Sequence, residues 1–149
     1  MINAQQLISL IPLACEWVEE QELLILSTGI PPNEKQKSFA SKMGITNIAK
    51  IRLLKVDMIP EAVNPILKQA GKTLGLISSD TLGITFQYGI YIRSDYWEKE
   101  SLIIHELTHT LQYERLGGIT HFLKQYIKEC VYLGYHKSPL ELEAKRMEE

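Results

Sequence analysis

The residues of this chain best suited to chemistry are the five consecutive positions His105-Glu106-Leu107-Thr108-His109. Side chains four apart on a helix stand on one face, one above the other. His105 and His109 therefore aim two imidazoles at a common point, as two ligands of a metal ion must. Glu106 follows the first histidine and projects beside that point, where a carboxylate can take a proton from water. Two ligands plus a general base is the mechanics of the H-E-x-x-H motif, and imidazole ligation with a carboxylate favours Zn²⁺. The surroundings agree with that assignment. Between Ser101 and Tyr113 the only charged side chain is Glu106, and Leu102, Ile103, Ile104, Leu107 and Leu111 flank the motif. A helix buried on most sides holds two histidines and a carboxylate only for a reason. The bland alternative is a pair of core histidines that merely satisfy hydrogen bonds.

A catalytic zinc has three protein ligands and one open position. A third histidine shortly after the motif is absent, since Gln112 and Arg115 occupy the relevant positions, and Cys15 lies in an N-terminal amphipathic stretch with no ligand motif around it. A downstream carboxylate remains. Ser138-Pro139-Leu140-Glu141 reads as a helix start, with Ser138 as N-cap, Pro139 at the first helical position and Glu141 three after the cap. Glu141 could close a capping box there instead of binding metal.

At these residues the chain resembles the gluzincin metallopeptidases, whose third ligand is a glutamate on a later helix. It resembles most closely small bacterial proteins with H-E-L-x-H-x-x-Q, then Gly-Tyr, then Pro-Leu-Glu-x-Glu-Ala. The matching residues are His105 to His109, Gln112, Gly134-Tyr135 and Pro139 to Ala144, within about the last seventy residues. The resemblance implies a zincin-like fold, one Zn²⁺ per chain on His105, His109 and Glu141, with Glu143 as the alternative third ligand, and Glu106 as base. It implies hydrolysis of peptide bonds in a peptide or protein substrate. Tyr135 or His136 would donate a hydrogen bond to the oxyanion. One departure is plain. The aspartate that follows the ligand glutamate by four in that family is Lys145 here, which cannot accept a hydrogen bond from a zinc-binding histidine. That departure supports an alternative reading, a catalytically inactive zinc-binding sensor or interaction module. A purely structural zinc would need a fourth ligand, for which His136 is the nearby candidate.

The elements that must position these residues follow from periodicity and punctuation. Asp95, with Glu98 three after it, predicts an N-cap for a motif helix over about 96–116, and Gly117-Gly118 stops it. Residues 82–93 are rich in β-formers. The resemblance places the strand before the motif helix at the sheet edge, so that Gly89, Ile90 and Tyr91 would bind a peptide by strand addition, Gly89 leaving room for its backbone. A core strand with a glycine bulge is the competing reading. Residues 4–27 predict an amphipathic helix with an acidic face, 34–43 a polar helix, 49–58 a strand and 60–71 a short helix ending at Gly71. The stripe Phe122, Leu123, Tyr126, Ile127, Cys130 and Val131 predicts a core helix over 119–133. Gln112 is a candidate partner for a zinc-bound histidine, and Arg115 for Glu114 or Glu129 at the surface.

The expected fold is therefore α+β: a mostly helical single domain over 1–149 with a small sheet packed on the motif helix. Residues 1–75 form the N-terminal portion, and 76–149 carry the edge strand, motif helix and glutamate helix. With 149 residues, 45% hydrophobic and 23% charged, the chain can bury a sizeable core. A net charge of −2 without a basic cluster argues against nucleic acid, and no apolar run has the length of a membrane span. Two cysteines in apolar stretches and a first segment without a basic n-region point to the cytoplasm.

Overall fold

In a computed structural model, which describes residues 2–149, six α-helices surround a three-stranded sheet. The two N-terminal helices start where short polar side chains can satisfy their first amides. Asn3 and Gln6 form a capping box for α1 (Ala4–Thr28), and Asn33 and Gln36 form another for α2 (Glu34–Met43). β1 is Arg52–Val56, shorter than the 49–58 expected, because residues 48–50 form a 3₁₀ turn. α3 (Pro65–Thr73) starts later than expected and continues through Gly71. Asn64 accepts from the Ile66 and Leu67 amides, and Pro65 occupies the first turn.

The β-rich stretch is a hairpin, β2 (Gly83–Phe86) and β3 (Gly89–Arg93), with Gln87 at φ 60° in its turn. The strand order is β1-β3-β2, with β1 parallel and β2 antiparallel to β3. β3 is therefore the central strand, paired on both sides, and the expectation of an edge strand over Gly89 to Arg93 is corrected. Ile90 and Tyr91 are buried. The space at Gly89 is taken by α1, since a Cβ there would lie 2.9 Å from Ile25 Cβ. The glycine lets helix and strand approach closely; it leaves no room for a substrate backbone.

Alternation along the strands divides the core. Phe86 and Tyr91 join Ala14, Val18 and Ile25 of α1 on one face, while Leu53, Ile90 and Ile92 join Ala40, Ile103 and Leu107 on the other. The motif helix, α4 (Glu100–Leu116), begins four residues later than its expected start. Asp95 does not cap it, because residues 94–96 form a 3₁₀ turn and the Asp95 carboxylate pairs with Arg93 at 2.8 Å. Gly117 at φ 98° ends α4 in the left-handed conformation, as its position suggested. α5 (Ile119–Leu133) returns past α1. A 3₁₀ turn at Tyr135–Lys137 leads into α6 (Pro139–Met147), which packs on α4. No described helix is long and apolar enough to cross a membrane.

Candidate metal centre

The site is built where α6 crosses α4. Ser138 accepts from the Glu141 amide, so the helix start is capped without the Glu141 carboxylate. That carboxylate turns instead to the two histidines. His105 Nε2 lies 3.0 Å from Glu141 Oε1, and His109 Nε2 lies 3.1 Å from Glu141 Oε2. The two rings stand edge to face, with centroids 5.0 Å apart. Each of the three residues offers one ligand atom, and these atoms lie within 4.8 Å of one another. Glu143, the alternative third ligand, points elsewhere and pairs with Arg115. Arg115 thus meets neither Glu114 nor Glu129. His136 is not a member of this cluster of donors.

The far nitrogens decide whether the cluster suits a metal. His105 Nδ1 is 2.7 Å from Glu148 Oε2, and His109 Nδ1 is 2.8 Å from Gln112 Oε1. Both partners are acceptors, so each Nδ1 is placed to donate to its partner. In a neutral ring each Nε2 then aims a lone pair at a carboxylate oxygen. Only a cation between them, a proton on each ring or one metal ion, makes that arrangement attractive. Two neutral imidazoles and a carboxylate form the donor set of a three-ligand zinc site, and their outer partners are present as such sites require. His105, His109 and Glu141 could hold a metal ion.

The electrostatics without a metal follow the same logic. Burial opposes charge on His105, but the hydrogen bond to Glu141 and the fields of Glu106 and Glu141 outweigh it and raise its pKa to about 9. Burial opposes charge on His109 as well, and the Glu141 and Glu106 carboxylates again prevail, raising its pKa. Burial would raise Glu141, yet the charge of His109 and the hydrogen bonds from both histidines and Tyr126 hold it well below the usual carboxylate range. Glu106 shifts upward because it is buried, against the pull of His109 and His105. Thr85 Oγ1 donates to Glu106 Oε1 at 2.7 Å and thereby orients the carboxylate.

A cleft of about 620 Å³ opens beside the cluster, with His105, Glu106, His109 and Glu141 in its wall. Trp17, Val18, Leu67, Ile84, Leu123 and Ile127 are among its apolar lining. Tyr135 and His136 line the same cleft and stack edge to face on each other. Burial and the Glu141 and Glu106 charges push the Tyr135 phenol up, so it stays protonated. Gly89, Ile90 and Tyr91 do not join the site.

Three contributors have no counterpart in the sequence reading. Tyr126, read only as part of a core stripe, donates from Oη to Glu141 Oε2 at 2.5 Å. Glu148 holds His105. Thr85 holds Glu106. Of these only Glu148 leaves a trace in the sequence: it follows Glu141 by seven, two helical turns along the same face. Periodicity records that Tyr126 and Thr85 face inward but not what their hydroxyls meet. The chain matches no protein-family model, no curated protein and no solved structure.

Proposed function

We propose that this protein is a small zinc-dependent metallopeptidase of the gluzincin type, with a zincin-like fold. The observation that carries the reading is the convergence of His105, His109 and Glu141 through their Nε2 and carboxylate atoms, with the Glu106 carboxylate oriented beside them in a cleft. Zn²⁺ held there would polarise a scissile carbonyl and lower the pKa of a water toward neutrality. The protein's own groups do the rest. Glu106, buried and fixed by Thr85, accepts a proton and delivers it to the leaving amine. Tyr135, protonated and facing the cleft, donates a hydrogen bond to the developing oxyanion. His136 is a second donor at the same wall.

The strand that would receive an extended peptide is β2, which among the described residues has no strand on its outer side. The Arg93 amide donates to the Leu82 carbonyl. The antiparallel register then turns the backbone amides and carbonyls of Leu82, Ile84 and Phe86 toward β3 and those of Gly83 and Thr85 away from it; the Thr85 carbonyl accepts from Tyr113 Oη at 3.3 Å, which leaves Gly83 as the point where a peptide would pair. Thr85 also touches Glu106, so this edge runs past the proposed base. The apolar walls of the cleft favour a substrate with a bulky apolar side chain near the scissile bond. Lys145 argued for an inactive zinc protein, but the hydrogen bonds missing at that position are supplied to the histidines by Glu148 and Gln112.

The test is zinc content on protein purified without chelators, followed by cleavage of a peptide library by wild type and Glu106→Gln. The expected result is one zinc per chain in both, and hydrolysis in the variant lowered by ~10²–10⁴-fold. An unchanged rate in Glu106→Gln would remove the mechanism, and a wild type that takes up no zinc would remove the metal centre.

A further inference from the structure

We infer that Gln112, held in one orientation by Glu143 and Arg115, selects which nitrogen of His109 is free to bind metal. The three form a positioning chain behind the centre, and the inference rests on the metal-centre reading above.

An amide side chain fits a given space in two orientations that exchange oxygen and nitrogen, and its neighbours decide between them. Gln112 is fully buried, one turn after His109 on α4. The Leu140 carbonyl oxygen lies 2.9 Å away and Glu143 Oε1 lies 2.8 Å away. Both are acceptors only, so both require the Gln112 NH₂ group. The Gln112 oxygen must then face His109, where it sits 2.8 Å from Nδ1. An oxygen in that place accepts, so with a metal on the Nε2 side, where Glu141 also lies, the ring keeps its proton on Nδ1 and leaves Nε2 bare to bind.

Glu143 is itself fixed. Arg115 donates to both of its oxygens, from Nη1 at 2.9 Å and Nη2 at 2.7 Å, in the two-pronged geometry that restrains a carboxylate best. Without Glu143 the amide loses one of the two acceptors that oppose its reversal. A reversed Gln112 would present NH₂ to Nδ1 and favour the tautomer with hydrogen on Nε2, which cannot bind metal. The chain also gives Glu143 a role. Two residues after Glu141 on α6, it meets α4 further along, at Gln112 and Arg115, and steadies the centre through Gln112.

The test measures zinc dissociation constants by competition with a chromophoric chelator, and the His109 tautomer by long-range ¹H–¹⁵N spectra of the zinc-loaded protein. Gln112→Leu is expected to weaken zinc binding by ~10–100-fold, and Glu143→Ala by less than about tenfold. Gln112→Glu alone sets a carboxylate against Glu143 and the Leu140 carbonyl and also weakens binding. Adding Glu143→Gln restores a donor to that carboxylate while the Leu140 carbonyl still opposes it, so the double variant should bind zinc more tightly than Gln112→Glu without reaching wild type. A folded Gln112→Leu with a lower Tm but an unchanged dissociation constant would assign Gln112 to packing alone and overturn the inference, as would a double variant no better than Gln112→Glu. In the zinc-loaded wild type His109 is expected to carry its proton on Nδ1. A proton on Nε2 in that state overturns this inference, whereas a wild type that takes up no zinc overturns the metal-centre reading.

Discussion

Loading the centre with zinc at pH 7 should expel protons, and the structure sets the scale. Both Nε2 atoms must be bare to bind metal. In the metal-free protein His105 has a pKa of about 9, so it is about 99% protonated at pH 7. Binding therefore releases about one proton from His105, and the raised pKa of His109 adds part of a second. Competition with the His105 proton alone weakens apparent zinc affinity by about 50-fold at pH 7 relative to pH 9, where the ring is half protonated, or about 2 kcal/mol. The same shift carries a sign for folding stability. The folded pKa lies above the ordinary value of 6.5, so the stabilisation in the metal-free protein is complete below about 6.5 and disappears as pH rises through about 9. Glu141 reports the same ion pairs from the acidic side: its lowered pKa means that stabilisation is present above the ordinary 4.5 and lost as pH falls below it. The two are one set of interactions, counted once. Zinc titration by calorimetry in two buffers of different ionisation heat, both at pH 7, gives the protons released as a slope. The expected value is at least one per zinc. Glu141→Gln removes the carboxylate that holds the histidines charged, and should release markedly fewer protons and bind zinc more weakly. A wild-type slope below about 0.5 would refute the electrostatic account of the site.

Four further substitutions separate structural from chemical roles. Gly89→Ala drives a Cβ to 2.9 Å from Ile25 Cβ; thermal unfolding should show a loss of ~1–3 kcal/mol, with KM for peptides unchanged in the surviving folded fraction. In Gly83→Ala the new Cβ would lie 3.2 Å from Glu106 Cγ, so zinc content should hold while kcat falls by roughly tenfold as the proposed base is displaced. Glu148→Ala removes the acceptor at His105 Nδ1, and chelator competition should show zinc bound ~10-fold more weakly. Leu107→Ala empties a fully buried position between the motif histidines; denaturant unfolding should report a loss of ~2–5 kcal/mol.

What could be read from the chain alone was what short-range geometry dictates. His105 and His109 share a face because they are four apart on one helix, whatever surrounds that helix. Ser138 starts a helix because its side chain satisfies an amide three residues away. Gly117 ends one because a left-handed residue is needed there. The stripe of α5 and the β-rich character of 82–93 were legible for the same reason. Asp95 shows the limit even of local signals: a good capping sequence lost its role to Arg93, two residues away.

The rest waited on contacts between distant segments. In sequence Glu141 is the preferred third ligand and Glu143 its alternative, and the crossing of α6 over α4 turns the first to the histidines and the second to Arg115. The place of β3 in the sheet depends on β1, more than thirty residues earlier, pairing in parallel on its far side, and no pattern within 82–93 encodes that neighbour. Tyr126, Thr85 and Glu148 reach the site from three different elements. Inward-facing hydroxyls and a terminal carboxylate look alike in sequence wherever they point; only packing in three dimensions, which brings α5, β2 and the end of α6 to the same few ångströms of α4, made them partners of Glu141, Glu106 and His105.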